Sequence, residues 1–385
     1  MTYPKRVLAA TLVAALGLAA CGGDDDDDAG TTSPPAATDP APEATDPAPE
    51  ATDPPEEPSG ESFNVGLTYD IGGRGDQSFN DSAAEGIDRA ETELGITFSE
   101  AEPNADGSDR AELLQLQADQ SALVIGVGFL FADDVAATAA ENPDVNFAVI
   151  DDGMLDFAAD PPAPRCDNCA GLTFAEEQGS FLVGVAAALN TETDTVGFIG
   201  GVGGFGLIEK FEAGFEAGVH AVNPDITIIS QYITQAPDFD GFVAPDRGRE
   251  IALAMYGQGA DVVYHAAGGS GAGLFEAAAE YSESSGSKVW AIGVDSDQYN
   301  TADANVQEYI LTSMLKQVGV AVFEITKAQQ DGEFTAGNTV YDLSVDGVGY
   351  STSGDFLTAD QIATIEDYKA QIIAGTIEVP TTPGG

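Results

Sequence analysis

The fold is decided by a stretch at positions 63–101, which reads FNVGLTYDIGGRGDQSFNDSAAEGIDRAETELGITFSEA. Residues 63–69 have the apolar and β-branched character of a buried strand, and a glycine-rich turn follows them. Residues 78–94 then place apolar or small side chains on one face of a helix, and residues 96–101 read as a second strand. Strand, helix and strand in this order predict a βαβ unit with parallel strands.

The alternation of strands and helices continues through the chain in two runs of similar length. In the first run the predicted elements are a helix at 109–120, a strand at 123–126, a helix at 132–141 and a strand at 146–150. In the second run they are helices at 176–189, 207–222, 246–256 and 271–282, and strands at 195–200, 226–232, 261–264 and 288–293. Two such runs predict an α/β protein with two doubly wound, Rossmann-like lobes.

The N-terminus is typical of an exported protein. Lys5 and Arg6 precede an uncharged apolar run at 7–18, which is too short to remain as a membrane-spanning helix. The tetrapeptide LAAC at 18–21 resembles a bacterial lipobox, which implies cleavage after a signal peptide at 1–20 and attachment of lipid to the sulfur of Cys21. The alternative is an ordinary signal peptide with a chance cysteine. The lipobox predicts an extracytoplasmic protein that is anchored to the cell membrane.

Residues 21–61 are predicted to be a disordered, acidic, proline-rich linker. They contain five consecutive aspartates at 24–28 and three copies of the pattern A-T-D-P-x-x-E, at 37–43, 44–50 and 51–57. Such a segment has almost no apolar surface to bury, so it cannot form a core. Proline and like charges keep it extended, which suits a spacer.

The charge of the chain restricts its partners. With 65 acidic and 13 basic residues the formal net charge is −52. Phosphates would be repelled, so the composition argues against nucleic acid and anionic lipid as partners, and weakly against an anionic substrate such as a nucleotide.

Three cysteines are present. If Cys21 carries lipid, Cys166 and Cys169 remain as one C-x-x-C pair, for which we predict a disulfide because the protein is exported. Free thiols, or a metal or redox site, are the alternatives. A zinc site would need more ligands, and the two histidines, His220 and His265, are distant in sequence.

Informative residues follow the predicted strands, where ligands of doubly wound sheets bind. Asp70 and the turn before Phe79 follow the first strand, and Asp151 follows the strand at 146–150. The later strands are followed by Gly268-Gly269 and by Asp295. Carboxylates accept hydrogen bonds, an aromatic ring offers a stacking face, and glycines allow close backbone approach. This set suits a neutral ligand with a flat ring and a sugar.

The chain after residue 62 resembles the basic membrane protein family of lipoproteins, the nucleoside-binding proteins of ABC importers. The resemblance depends on four blocks: DIGGRGDQSFN at 70–80, FAEEQGSFLVG at 174–184, IGVDSDQ at 292–298 and LTSMLK at 311–316. It implies the type I periplasmic-binding-protein fold with a hinge, a nucleoside ligand, more often a purine nucleoside, and an ABC permease as partner. It also implies a monomer without catalytic residues, metal or cofactor. We place 62–175 and about 297–335 in the first lobe, and 176–296 and about 336–380 in the second.

The resemblance also implies roles for individual residues. Phe79 looks like one base-stacking ring and Phe242 like its partner, with Phe239 as the alternative to Phe242. The polar contacts to the base look like Asp70, Asn80 and Asp151, with Asp152 as the alternative to Asp151. The ribose ligands look like Asp295 and Lys316, together with the backbone of Gly268 and Gly269. Asp295 could instead cap a helix or form a hinge ion pair, and Lys316 could neutralise Asp295.

Other functions remain open on the sequence. The stretch GVGGFG at 201–206 matches the dinucleotide motif G-x-G-x-x-G, but the following strand ends without the acidic residue that a ribose would need. His265 lacks a recognisable Ser or Cys partner, so we interpret it as structural. The remaining alternatives are a receptor for another neutral solute, such as a sugar, and an exported nucleoside hydrolase.

Overall fold

The structure is a computed structural model, and it describes residues 62–384. The predictions for the signal peptide at 1–20, for lipid on Cys21 and for the linker at 21–61 lie outside the described residues. Within 62–384, no helix is both long enough and apolar enough to cross a membrane.

Strands and helices alternate through the described chain. The strands are β1 (Asn64–Thr68), β2 (Thr97–Ala101), β3 (Leu123–Gly126), β4 (Asn146–Ile150), β5 (Leu155–Asp156), β6 (Ala163–Pro164), β7 (Cys169–Phe174), β8 (Thr195–Gly203), β9 (Thr227–Gln235), β10 (Val262–Ala266), β11 (Trp290–Asp295), β12 (Ile310–Lys316), β13 (Gly337–Tyr341) and β14 (Val348–Tyr350). The helices are α1 (Phe79–Leu94), α2 (Arg110–Ala118), α3 (Ala132–Glu141), α4 (Glu176–Asn190), α5 (Leu207–Val222), α6 (Pro245–Gly257), α7 (Ala272–Ser285), α8 (Gln298–Thr301), α9 (Val318–Asp331) and α10 (Ala359–Ile373).

Two six-stranded sheets organise these elements. The first has the order β13-β7-β4-β3-β1-β2, and all of its neighbouring strands are parallel. The second has the order β14-β12-β11-β10-β8-β9, in which only β14 is antiparallel to its neighbour. We call each sheet with its helices a lobe. The prediction of two doubly wound α/β lobes is confirmed.

The strands next to the site are buried on both faces, as parallel strands covered by helices must be. In β1 and β3, Val65, Leu67, Leu123 and Ile125 have no exposed surface. Such strands read as continuous apolar runs, which is why the sequence indicated them clearly. Their rigid packing fixes the positions of their carboxyl ends, from which the loops of the candidate site begin.

The chain passes between the lobes three times within 62–384, at residues 175, 317 and 342. The first lobe is therefore formed by 62–174 and 318–341, and the second by 176–316 and 343–384. The predicted division is wrong in two places. It assigned 297–335 to the first lobe, but β12 pairs with β11 in the second sheet. It assigned 336–380 to the second lobe, but β13 pairs with β7 in the first sheet.

The predicted disulfide between Cys166 and Cys169 is present, with Cα atoms 5.3 Å apart. Three local features differ from the sequence interpretation. Cys169 begins β7, a strand that the sequence analysis did not predict. The first three residues of the 201–206 motif belong to β8, because this strand continues to Gly203 and pairs there with β9. His265 lies within β10 and not after it.

Candidate ligand-binding site

A cavity lies between the two lobes, at the carboxyl ends of both sheets. The first lobe contributes the loop after β1, the start of α1 and the residues after β3 and β4, while the second contributes the start of α5 and the ends of β10, β11 and β12. The cavity is lined by every residue that the sequence nominated as a ligand contact, namely Asp70, Phe79, Asn80, Asp151, Phe242, Gly268, Gly269, Asp295 and Lys316. The structure therefore brings these nine residues together.

Phe79 and Phe242 enter the cavity from opposite lobes. Phe79 is the first residue of α1, and Phe242 ends a 3₁₀ turn that begins at Phe239. The Phe242 ring lies against Gly201, where a Cβ atom would come within 2.5 Å of the ring, so a side chain at 201 would displace it. Of the two alternatives raised by the sequence, Phe242 faces the cavity, while Phe239 packs against Phe129 and Phe205.

Asp70 lines the cavity and is held in place by hydrogen bonds to Asn80 and Ile71. Its backbone N–H donates to Asn80 Oδ1 at 3.0 Å, and its Oδ1 accepts from the Ile71 N–H at 2.8 Å. Its Oδ2 lies against Gly128, which has a φ of +111° and no room for a Cβ atom. Burial raises the pKa of the Asp70 carboxyl to about 6, although the Ile71 N–H and Arg110 oppose the rise.

Asp76 also lines the cavity, and the sequence analysis did not nominate it. Its Oδ1 accepts from the N–H groups of Ser78 and Asp81, and its Oδ2 accepts from the N–H of Asn80 at 2.9 Å. Asp76 therefore satisfies the free backbone donors at the start of α1. Burial is the main reason that the pKa of Asp76 is raised.

Lys316 forms a buried ion pair that joins the lobes. Its Nζ is 2.7 Å from Asp151 Oδ1 and 3.4 Å from Glu176 Oε1, and the lysine side chain is only 2% exposed. Glu176 is itself paired with Lys210 at 3.2 Å. Burial lowers the pKa of Lys316, but the nearby carboxylates, Asp151 first, outweigh it and hold this pKa above its ordinary value.

The sequence analysis raised the alternative that Lys316 pairs with Asp295. In the structure the direct partners of Lys316 are Asp151 and Glu176 instead. Asp151 rather than Asp152 faces Lys316 and the cavity, while Asp152 accepts a hydrogen bond from the Met154 N–H at 2.7 Å. The sequence analysis did not select Glu176, although this residue is the third of the block at 174–184 and begins the helix predicted at 176–189.

Asp295 ends β11 in the left-handed conformation, with a φ of +63°, and is 8% exposed. Its Oδ2 accepts a hydrogen bond of 2.5 Å from Ser78 Oγ in the other lobe. Burial raises the pKa of Asp295 to about 6, while Lys316 and Ser78 lower it and Asp76 raises it further. A carboxylate in this position can accept hydrogen bonds from ligand hydroxyls.

An aromatic contact closes part of the cavity between the lobes. The ring of Phe129, which follows β3, stacks on Phe205 in the loop before α5, with ring centroids 4.7 Å apart. Phe129 also lines the cavity. The rule that selected the other residues, a position just after a parallel strand, would have selected Phe129 as well, but the sequence analysis did not apply it to β3.

The described region matches a family model over almost its full length. Residues 63–383 match the Bmp model, described as ABC transporter substrate-binding protein PnrA-like. The chain belongs to the Bmp family. Bmp proteins are substrate-binding components of ABC transporters, so the chain is a solute-binding protein and not an enzyme.

Named relatives of this Bmp protein cover most of its length. A protein of Listeria innocua named CD4+ T-cell-stimulating antigen is 36% identical over 348 residues, which cover 85% of this chain and 91% of that protein. A protein of Lactococcus lactis subsp. cremoris named ABC transporter nucleoside-binding protein BmpA is 34% identical over 329 residues, covering 82% and 88%. The resemblance seen in the sequence is confirmed at the level of the family.

Solved structures agree on the fold. An ABC transporter solute-binding protein from Aeropyrum pernix K1 superposes with a TM-score of 0.70 at 26% identity, covering 83% of this chain and 94% of that one. The Bmp chain thus has the two-lobed architecture of type I periplasmic binding proteins, as the sequence predicted.

Proposed function

We propose that this Bmp protein captures a ribonucleoside, more often one with a purine base, between its two lobes and delivers it to an ABC permease. The observation that carries the proposal is the composition of the cavity. It has an aromatic ring from each lobe, Phe79 and Phe242, and a buried carboxylate, Asp295, at the end of a strand. A flat base suits the rings, and ribose hydroxyls suit the carboxylate.

The charge of the cavity supports a neutral ligand. Its lining includes four carboxyl groups, those of Asp70, Asp76, Asp151 and Asp295, and one lysine that is already paired. A phosphate placed among these groups would be repelled, and Lys316 would have to leave Asp151 in order to bind it. A nucleoside, which has donors but no charge, fits this cavity better than a nucleotide does.

The name of the Lactococcus lactis relative, which describes that protein as nucleoside-binding, supports the same ligand class. For the roles within the site we propose stacking by Phe79 and Phe242, base contacts from Asp70, Asn80 and Asp151, and ribose contacts from Asp295, Lys316 and the backbone of Gly268 and Gly269. The mature protein would act as a monomer, tethered outside the cytoplasmic membrane by lipid on Cys21.

Calorimetric titration of the purified chain tests the ligand class. We expect adenosine, guanosine or inosine to bind, the matching 5′-monophosphate to bind far more weakly, and glucose and galactose not to bind. Mass spectrometry of the protein as purified should find an intact nucleoside. If a free sugar bound and no ribonucleoside did, the nucleoside proposal would be wrong and a sugar receptor would replace it.

A further inference from the structure

Ser78 occupies the N-cap position of α1 but does not cap the helix. A serine there ordinarily accepts a hydrogen bond from a backbone N–H in the first turn. The Ser78 side chain forms no such bond, and the backbone donors that it would serve are bonded to Asp76 instead. Because Asp76 performs the capping, the Ser78 hydroxyl is available for another partner.

That partner lies in the other lobe. Ser78 Oγ donates to Asp295 Oδ2 at 2.5 Å, and both residues are buried, Ser78 with 0% and Asp295 with 8% exposed surface. Within residues 62–384, the structure assigns no hydrogen-bond donor to the other oxygen of Asp295, Oδ1, and Asp295 lines the cavity. One oxygen of this carboxylate therefore contacts the opposite lobe, while the other remains for a ligand.

Two further hydrogen bonds join the same segments. Ser296 Oγ donates to the Ser78 carbonyl oxygen at 3.2 Å, and Gln298 Nε2 donates to the Gln77 carbonyl oxygen at 3.0 Å. Gln298 is held in place because its Oε1 accepts from the Val294 N–H at 2.8 Å. The segment before α1 is thus aligned with the segment after β11 by contacts on both sides of the Ser78–Asp295 bond.

We propose that Ser78 is a positioning residue that couples closure of the lobes to recognition of ligand hydroxyls, because it and the ligand share the carboxylate of Asp295. The proposal deepens the nucleoside assignment and rests on it. When the lobes separate, water replaces Ser78 at Oδ2. When they close, Ser78 fixes the orientation of the carboxylate, so that Oδ1 points its lone pairs at the ligand.

The electrostatics of Asp295 supply a second consequence. Burial raises its pKa, Lys316 and the Ser78 hydrogen bond lower it, and Asp76 and Asp151 raise it. Tyr264 also faces it and stays neutral, because burial holds the pKa of Tyr264 well above its ordinary value. Removing the Ser78 hydroxyl should therefore raise the pKa of Asp295. A protonated carboxyl group carries an O–H donor on one oxygen and accepts more weakly than the ionised form, so affinity should then be lost at a higher pH as the solution is acidified.

The experiment compares the full chain with Ser78→Ala, Ser78→Thr and the control Ser180→Ala. Ser180 is also fully buried and also makes one side-chain hydrogen bond, to Tyr264 at 3.1 Å, but this bond stays within the second lobe. Stopped-flow kinetics would be measured with the ribonucleoside that the wild type binds and with its 2′,3′-dideoxy analogue, from pH 4.5 to pH 8.

For Ser78→Ala we expect the ribonucleoside to dissociate about ten- to a hundredfold faster, with little change in the association rate, because a hydrogen bond to a charged group is lost. Discrimination against the dideoxy analogue should shrink, and the acid midpoint of affinity should move to higher pH. Ser78→Thr should partly restore the dissociation rate, the discrimination and the acid midpoint. Ser180→Ala should have the wild-type value of each of these quantities.

The two hypotheses fail in different ways. A wild type that binds no ribonucleoside would overturn the proposed function and this inference with it. A wild type that binds one, with Ser78→Ala unchanged in dissociation rate, discrimination and acid midpoint, would overturn the role of Ser78 alone. A Ser78→Ala variant that loses affinity equally for both ligands at an unchanged acid midpoint would also overturn it, because that pattern indicates only a packing defect.

Discussion

Replacement of Lys316 by methionine should destabilise the protein strongly at neutral pH. The side chain is 2% exposed and its cation lies 2.7 Å from Asp151 and 3.4 Å from Glu176. The change therefore leaves the buried Asp151 without its cationic partner, while Glu176 keeps its ion pair with Lys210. Removing one partner of a buried ion pair costs roughly 3–5 kcal/mol. For a protein of this size that corresponds to a fall in the thermal midpoint on the order of 10 °C.

The loss should depend on pH in a defined direction. Burial raises the pKa of Asp151, and in the wild type Lys316 opposes the rise. Without Lys316 this pKa should lie further above the value in the unfolded chain. A carboxyl group with a higher pKa in the folded state binds a proton on folding, so its contribution to stability falls as the pH rises between the two pKa values. Lys316→Met should therefore be less destabilised at pH 5 than at pH 7.

Thermal unfolding at the two pH values measures the effect, with Lys327→Met as the matched control. Lys327 pairs with Asp331 on the surface of α9 and its side chain is 46% exposed, so its loss should cost at most about 1 kcal/mol. Adding Asp151→Asn to Lys316→Met should recover part of the stability, because it removes the unpaired charge. A Lys316→Met midpoint equal to that of Lys327→Met at pH 7, or an equal loss at both pH values, would refute the reasoning.

Four other predictions concern the site, its pH response, the disulfide and the anchor. Asp295→Ala should weaken ribonucleoside binding about ten- to a hundredfold and reduce discrimination against the 2′,3′-dideoxy analogue, whereas Phe79→Ala should weaken both ligands alike; calorimetry with both ligands distinguishes the two effects. Wild-type affinity should fall as the pH drops through about 6, since burial raises the pKa of Asp70 and of Asp295 to about 6 and the protonated forms accept fewer hydrogen bonds; an affinity constant from pH 7 to pH 5 would contradict this. Cys166→Ser with Cys169→Ser should lower the free energy of unfolding by about 2 kcal/mol and leave affinity nearly unchanged, and thiol counting on the unfolded, non-reduced wild type should find neither cysteine free. Cys21→Ser should release the protein from membranes or leave it unprocessed, and unchanged fractionation with an unchanged lipid label would argue against the anchor.

The strands β1 to β4 of the first sheet and the candidate site were predictable because their signals are local. The strands β1, β3 and β4 are short apolar runs between amphipathic helices, and each could be recognised without knowledge of its neighbours. Once parallel strands were inferred, the convergence of their carboxyl ends placed Asp70 and Asp151 at one edge of the first sheet and Asp295 at the corresponding edge of the second. The cavity lining agrees with that inference.

The division into lobes was not predictable in the same way. The strands β12 and β13 have seven and five residues, and nothing in the residues of either strand indicates the sheet to which it belongs. Sheet membership depends on the strand with which each one pairs. β13 pairs with β7, which is distant in sequence, and β12 pairs with β11, from which α8 separates it. The hydrogen bond from Ser78 to Asp295 spans 217 positions, and nothing local to either residue indicates it.

On the proposed function, the buried carboxyl groups explain why closure should depend on the ligand. Closing the lobes removes Asp70, Asp76 and Asp295 from water, and burial raises the pKa of each, which is the sign that their charged forms lose solvation. Asp76 accepts four hydrogen bonds from the start of α1, but Asp70 contacts only the Ile71 N–H and Arg110, and Asp295 accepts only from Ser78. Among the described residues, no protein donor bonds to Oδ2 of Asp70 or to Oδ1 of Asp295. The hydroxyls and base N–H groups of a nucleoside would supply the missing donors. A ligand without them would leave these two oxygens without a donor in the closed cavity, so the closed state that the permease recognises would form less often.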